Sequence, residues 1–325
     1  MTHDHCWGLL KQFAALSNCQ IVAAADSNEP LRKKIAELYG VEKLYEDVEQ
    51  MIDSEDLDAV LVTGDNAASV SVLEKAAPLG IHALVEKPMA ATLEQADRML
   101  KAATDGGTKL MINWPMAWKP EVHKAFQMCH DGEIGQVFYV RVRMAHEGPK
   151  EIGCSEYFWG WLYDAEKNGA GALMDYCCYG AAFCRWLLGR PSAVQGVRGH
   201  LAKPYPVPDD NAVITMLYDK HIASTEASWT QHPGFHEVEI LGTEGTLRTW
   251  HGKLLLWKEG QEPTEVQAEP LPEGMRNGPE HFLHCLDTGA EPQGMCHPQV
   301  ARDAQEILEA GLRSADTGQR ITLPL

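Results

Sequence analysis

Gly80-Ile81-His82-Ala83-Leu84-Val85-Glu86-Lys87-Pro88 reads as one buried β-strand that ends abruptly in charge. A short apolar run without alternation belongs to a strand covered on both faces, as in parallel sheets flanked by helices. Pro88 restricts Lys87 to extended geometry and stops the strand there. The pattern recurs on either side: Ile21-Val22-Ala23-Ala24-Ala25 ends at Asp26, Ala59-Val60-Leu61-Val62 at Thr63, and Leu110-Met111-Ile112 at Asn113. Helical spacing of apolar residues fills the intervals at 29–39, 69–79 and 92–104. Strand alternating with helix predicts an α/β domain with a parallel sheet, in which ligands bind beyond the carboxyl ends of the strands. Asp26, Thr63, Glu86 and Asn113 are therefore expected on one rim.

After a helix near 119–130 the character changes. Gln136 to Ala145 alternates like a long strand with one solvated face, and further strands are expected at 192–199, 211–218, 222–230, 236–241, 246–250 and 253–257. One helix, about 172–188, is inserted early. This predicts a second α/β domain with an open, mostly antiparallel sheet, and the division falls at 1–118 and 119–325. Late helical patterns near 278–287 and 297–314 are expected to return to the first domain.

Composition narrows the function. A net charge of −18 without any Lys/Arg cluster argues against nucleic acid, whose phosphates demand concentrated positive charge. No apolar run approaches the ~18 residues of a membrane span, and the first residues lack the basic and apolar regions of a signal peptide. Nine scattered cysteines with no CxxC pair fit reduced thiols. A cytoplasmic protein without membrane partners is the expectation. His3-Asp4-His5 offers two imidazoles but no third ligand at a known spacing, so no metal is expected.

The chemistry-bearing residues come from both halves. Asp26 closes its strand where a dinucleotide fold uses an acid to hold the adenosine ribose, with Ser27 beside it, although Asp is equally common at a helix start. A carboxylate there would repel a 2′-phosphate, favouring NAD over NADP. Gly169-Ala170-Gly171-Ala172-Leu173-Met174-Asp175-Tyr176-Cys177-Cys178-Tyr179-Gly180 places Asp175 and Tyr179 at i, i+4 on one helix face. With Lys87 they can form a proton relay, the cation lowering the phenol pKa; alone, Lys87 reads first as a surface lysine in a strand-to-helix turn, and Tyr179 equally as a buried phenol bonded within its own helix. His146 follows the long strand, and Trp114 and Trp161 flank the expected cleft, aromatic faces being suited to sugar rings.

Taken together, these stretches resemble the Gfo/Idh/MocA oxidoreductases (glucose-fructose oxidoreductase, inositol dehydrogenase, rhizopine catabolism). The resemblance rests on Ile21 to Asp26, Gly80 to Pro88, Gly135-Gln136-Val137, Trp161 with Gly169 to Gly180, Leu241-Gly242-Thr243-Glu244-Gly245 and Ser314-Ala315-Asp316-Thr317-Gly318. It implies an N-terminal Rossmann domain and a C-terminal domain whose open sheet mediates a homodimer or homotetramer. It also implies NAD(P)-dependent oxidation of a hydroxyl on a sugar, cyclitol or sugar derivative. Lys87 takes the nicotinamide-side and substrate role, Asp175 the acid position, and Tyr179 the base position that is commonly His. The implied cofactor contacts are Asp26, Ser27, Thr63, Asn66, Glu86, Lys87, Asn113 and Trp161; the implied substrate contacts are Lys87, Trp114, His146, Asp175 and Tyr179. Replacing Lys87 by Met is expected to abolish turnover with little effect on folding.

Two departures stand out. Thr63-Gly64-Asp65-Asn66 replaces the family's Thr-Pro-Asn, and Thr2-His3-Asp4-His5 stands where the family has a first strand and a Gly-rich turn. That strand is central to the sheet and its turn meets the pyrophosphate, so its absence leads to the expectation that Met1 is an internal start and the natural product longer. Two alternatives share the fold: a redox-neutral NAD-dependent glycosidase or epimerase, and a cofactor-deficient sugar-binding or scaffold protein.

Overall fold

A computed structural model describes residues 1–325. The parallel layer is built from β1 (Ala23–Ala25), β2 (Lys43–Tyr45), β3 (Ala59–Val62), β4 (His82–Glu86) and β5 (Leu110–Asn113). It lies in two pieces, β1–β2 and β3–β4–β5, with no strand hydrogen-bonded between them. β2 is the strand that periodicity missed: three residues, mostly exposed, carry no pattern. In the larger piece Leu84 lies beside Leu61 and Met111, and Glu86 beside Asn113. That register puts the polar strand ends side by side.

The second layer is a nine-stranded sheet in the order β13-β12-β11-β10-β6-β9-β8-β7-β14. Its strands are β6 (Val137–Ala145), β7 (Ala193–Gly199), β8 (Asn211–Leu217), β9 (Ile222–Ser228), β10 (Phe235–Gly242), β11 (Gly245–Trp250), β12 (Lys253–Trp257), β13 (Thr264–Val266) and β14 (Ile321–Thr322). All pairings are antiparallel except β6 with β9. The observed sheet is thus the open, mostly antiparallel one expected, extended at its ends by β13 and β14.

The helix Ala172–Leu188 lies across this sheet and is buried continuously from Ala172 to Cys184. Glycine makes the approach feasible. A Cβ on Gly180 would stand 2.2 Å from Thr225 Oγ1, and one on Gly171 2.1 Å from the Asp209 carbonyl oxygen. The fully buried Asp209 accepts from Gly171 N (3.0 Å) and Leu173 N (2.7 Å), so it caps a helix that has no side-chain cap of its own. Burial pushes the Asp209 carboxyl above the ordinary aspartate range, with the two amides and Arg198 opposing. The amphipathic helix Pro298–Thr317 clamps the layers together: Arg302 pairs with Asp97 at 2.5 Å, and Glu309 accepts from Leu93 N at 2.7 Å. No helix is long and apolar enough to cross a membrane.

Candidate active site

Lys87 leaves the end of β4 and turns into the protein. Its side chain is 2% exposed, and Nζ donates to Asp175 Oδ1 at 2.7 Å and to the Asp175 carbonyl at 3.1 Å. The ammonium also lies 4.8 Å from the Tyr179 ring centre and 5.9 Å from that of Tyr176. Burial works against the lysine charge, but Asp175, Tyr179 and Cys178 hold its pKa well above the ordinary value. Asp175 shows the converse. Burial favours its neutral form, yet Lys87, His146 and the Trp229 indole, which donates to Oδ2 at 3.1 Å, bring it below the ordinary aspartate value. The pair is therefore charged at neutral pH and locked from three directions.

The two phenols of the helix behave differently. Burial raises Tyr179 and Tyr176 above the usual tyrosine pKa, with Lys87 opposing in both, and neither hydroxyl has a hydrogen-bond partner in the protein. They are thus protonated hydroxyls free to meet a ligand. Around them stand Trp114, edge-on to Tyr179 at 5.9 Å, and His146, edge-on to Tyr176 at 4.8 Å. His146 Nδ1 accepts from Gly148 N at 2.8 Å, which leaves the proton of the neutral ring on Nε2, and burial lowers its pKa. An aromatic wall continues outward from Trp229 through Tyr163 (5.6 Å) to Tyr205 (5.5 Å), and Lys150 sits 4.4 Å over Trp159.

At the rim, Glu86 accepts from Asn113 Nδ2 at 2.8 Å and contacts His5 Nδ1 at 2.8 Å. Asn113 Oδ1 in turn accepts from the Trp118 indole at 2.9 Å. The Thr63 carbonyl accepts from His3 N. Asn66 commits its amide to Asn168, at 2.8 Å, and so braces the Gly-rich segment. Asp26, with exposed Ser27, lies on the separate β1–β2 piece; its oxygens accept from the N-terminal ammonium at 2.6 Å and from Asn28 N and Nδ2 at 2.9 Å.

The structure thus brings Lys87, Asp175, Tyr179, Trp114 and His146 together, with Glu86, Thr63 and Asn113 along the adjoining rim. Asp26 and Ser27 form a second locus, and Asn66 is bound to Asn168. His3, His5 and Glu86 place one donor atom each within 4.8 Å of one another, so a third ligand absent from the local sequence exists in space. Those groups are already joined by hydrogen bonds: His3 Nδ1 accepts from His5 N, and His5 Nδ1 faces Glu86. Tyr176, Trp229 and His236 were not identified from the sequence. Tyr176 sits on the same helix, one residue past Asp175; Trp229 and His236 come from the second sheet, and no local pattern connects them to it.

Two buried indole N–H groups, Trp114 Nε1 and Trp161 Nε1, have no acceptor in the protein. A ribose hydroxyl or a carboxamide oxygen would satisfy such donors, and Trp161 lies 5.8 Å from His3, next to the rim. The residues at this end fit a nicotinamide. At the other end Asp26, directly after β1, supplies an acid.

A parallel α/β layer joined to an open sheet, with a buried lysine–aspartate pair at the strand ends, defines an oxidoreductase built on a Rossmann-type domain. Residues 6–114 match the NAD-binding Rossmann-fold domain of the GFO/IDH/MocA oxidoreductase family, and residues 122–248 match its C-terminal domain. The chain is 30% identical over 257 residues to D-xylose 1-dehydrogenase [NADP(+)] of Haloarcula marismortui, covering 76% of this chain and 70% of that protein. It is 25% identical to D-apiose dehydrogenase of Paraburkholderia graminis over 99% of this chain and 86% of that one. In fold it is similar to the WlbA dehydrogenase of Bordetella pertussis, solved with NADH and UDP-GlcNAcA (TM-score 0.83, 19% identity, 100% and 96% of the two chains). The chain belongs to the GFO/IDH/MocA oxidoreductase family.

Proposed function

We propose that this protein oxidises a hydroxyl of a sugar, cyclitol or sugar derivative with NAD as acceptor. The observation that carries the reading is the buried Lys87–Asp175 ion pair beneath the unpartnered Tyr179 hydroxyl. Trp114, Trp161 and Glu86 with Asn113 would hold the nicotinamide end, Thr63 the middle of the rim, and Asp26 with Ser27 the adenosine ribose. A nicotinamide held there would supply the hydride acceptor. The chain's own residues do the rest: the Lys87 ammonium and the Tyr179 hydroxyl grip the reacting oxygen, Asp175 fixes Lys87, and His146 offers Nε2–H to a neighbouring hydroxyl. The aromatic wall from Trp229 to Tyr205 suits the apolar face of a sugar ring. The carboxylate at Asp26, which would repel a 2′-phosphate, favours NAD over NADP.

The same reading seats a second copy of the chain on the open face of the nine-stranded sheet. Exposed Val197 and Ile222 lie on that face, and Arg141, Arg143, Arg248, Glu226, Glu237 and Glu239 form ion pairs across it. Incubation with NAD and a panel of aldoses and cyclitols, followed at the NADH absorbance band, tests the activity. NADH formation that is lost in Tyr179→Phe supports it; tight NAD binding with no NADH from any member of the panel rejects it.

A further inference from the structure

The site contains a proton problem that its trio does not solve. Burial has raised the Tyr179 phenol, and the cation that would lower it is already paired with Asp175. A phenol in that position hands a proton on far better than it keeps a phenolate at neutral pH. An acceptor beyond it is required. His146 does not qualify, because Nδ1 is occupied by Gly148 N–H and Nε2 carries the proton.

His236, on β10, has no hydrogen bond to the protein from either ring nitrogen. Its ring lies 5.8 Å from that of Tyr176 and 6.4 Å from that of Tyr179, while the residue itself is exposed to solvent. It therefore lies between the two buried phenols and bulk water, where a water or a substrate hydroxyl can link them. The charged and titratable groups facing it are Lys119, His146, Lys87 and Asp175, besides the two tyrosines. Crowding by the protein, then Lys119, His146 and Lys87, lowers its pKa, with Asp175 opposing. The ring is neutral and able to accept.

We infer that His236 is the terminal proton acceptor of the relay, taking the substrate hydroxyl proton by way of Tyr179 and releasing it to water. This rests on the proposed oxidation at the same site. In balance, the substrate C–H bond yields two electrons and its hydrogen as hydride to the oxidised nicotinamide. The O–H bond yields its proton to Tyr179 as the phenol's own proton passes to a His236 ring nitrogen, and a C=O bond forms. His236 then returns to neutral by losing that proton to solvent.

Two measurements on the full chain decide it. In the first, ring-nitrogen NMR on the cofactor-free protein follows the titration of His236; the relay predicts a midpoint below the ordinary histidine value that moves in Tyr179→Phe. An unmoved midpoint overturns the contact. In the second, turnover with NAD and the most active sugar of the panel is compared in His236→Gln and Tyr179→Phe. The relay predicts that His236→Gln lowers kcat by about a hundredfold with KM nearly unchanged, and that added imidazole restores part of the rate. His236→Gln at wild-type kcat with Tyr179→Phe impaired overturns the relay and leaves the site reading standing. Wild-type rates in both variants overturn both.

Discussion

Lys87→Met removes one half of a buried ion pair, and its effect on stability should depend on pH in the opposite sense from that of the wild type. Asp175 would keep only the Trp229 indole, 3.1 Å from Oδ2, in a site where its side chain is 6% exposed. Leaving a buried carboxylate without its cation costs about 3–5 kcal/mol. The pH sign follows from linkage. In the wild type the folded pKa of Asp175 lies below the unfolded value, so its contribution is complete above the unfolded value and is lost only as pH falls through the folded one. In Lys87→Met the unpaired carboxyl is raised by desolvation, so the variant is least destabilised in acid and loses stability as pH rises from the unfolded value toward the new folded one. Urea denaturation near pH 5 and near pH 8 measures this, and Lys87→Met/Asp175→Asn should recover about 2 kcal/mol of the loss at the higher pH. Equal destabilisation of Lys87→Met at both pH values, with no recovery in the double variant, would refute the pairing argument.

Four further outcomes are expected. Asp209→Ala strips the cap from Gly171 N and Leu173 N and leaves Arg198 with Asp316 as its one carboxylate partner, lowering stability by about 2–4 kcal/mol in urea melts, with Asp209→Asn costing less because an amide oxygen still accepts. Gly180→Ala drives a methyl against Thr225 and should cost about 1–3 kcal/mol in the same assay while reducing kcat, since Tyr179 rides on that helix. Trp229→Phe removes the N–H on Asp175 Oδ2 and should lower kcat by about tenfold, the worth of one hydrogen bond to a charged group, with NAD affinity unchanged in titration calorimetry. Burial pushes the Cys129, Cys178 and Cys296 thiols up to about 12 and Cys154 and Cys285 up to about 11, so alkylation of the native protein near neutral pH should be slow and should accelerate on unfolding.

The strands of the parallel layer were legible because burial on both faces writes itself as an unbroken apolar run, and Glu86 and Asn113 are each the residue at which such a run stops. Helical spacing likewise marked Ala172–Leu188, and with it the shared face of Asp175 and Tyr179. What the sequence withheld is long-range. Asp209 caps a helix that begins at Ala172, and the Trp229 indole reaches Asp175 from beyond β9; neither leaves a trace in local periodicity. Lys87 illustrates the difference best. As a strand-end lysine before a proline it reads as a group replaceable without harm to folding, whereas its burial and its bond to Asp175 make it part of the core's electrostatics as well as of the site. His236 was invisible for a related reason: only the pairing of β10 with β6 carries it to the mouth of the cleft.

Lys87, Asp175 and Tyr179 are proposed to preside over hydride removal from a sugar carbon, and label transfer decides whether they do. The chain is incubated with NAD and with aldoses and cyclitols deuterated at their carbinol carbons, and the recovered nicotinamide is analysed by mass spectrometry. Deuterium is expected on the nicotinamide ring in the wild type and is expected to be lost in Tyr179→Phe. Deuterium that never leaves the sugar, although NAD is bound, would contradict it.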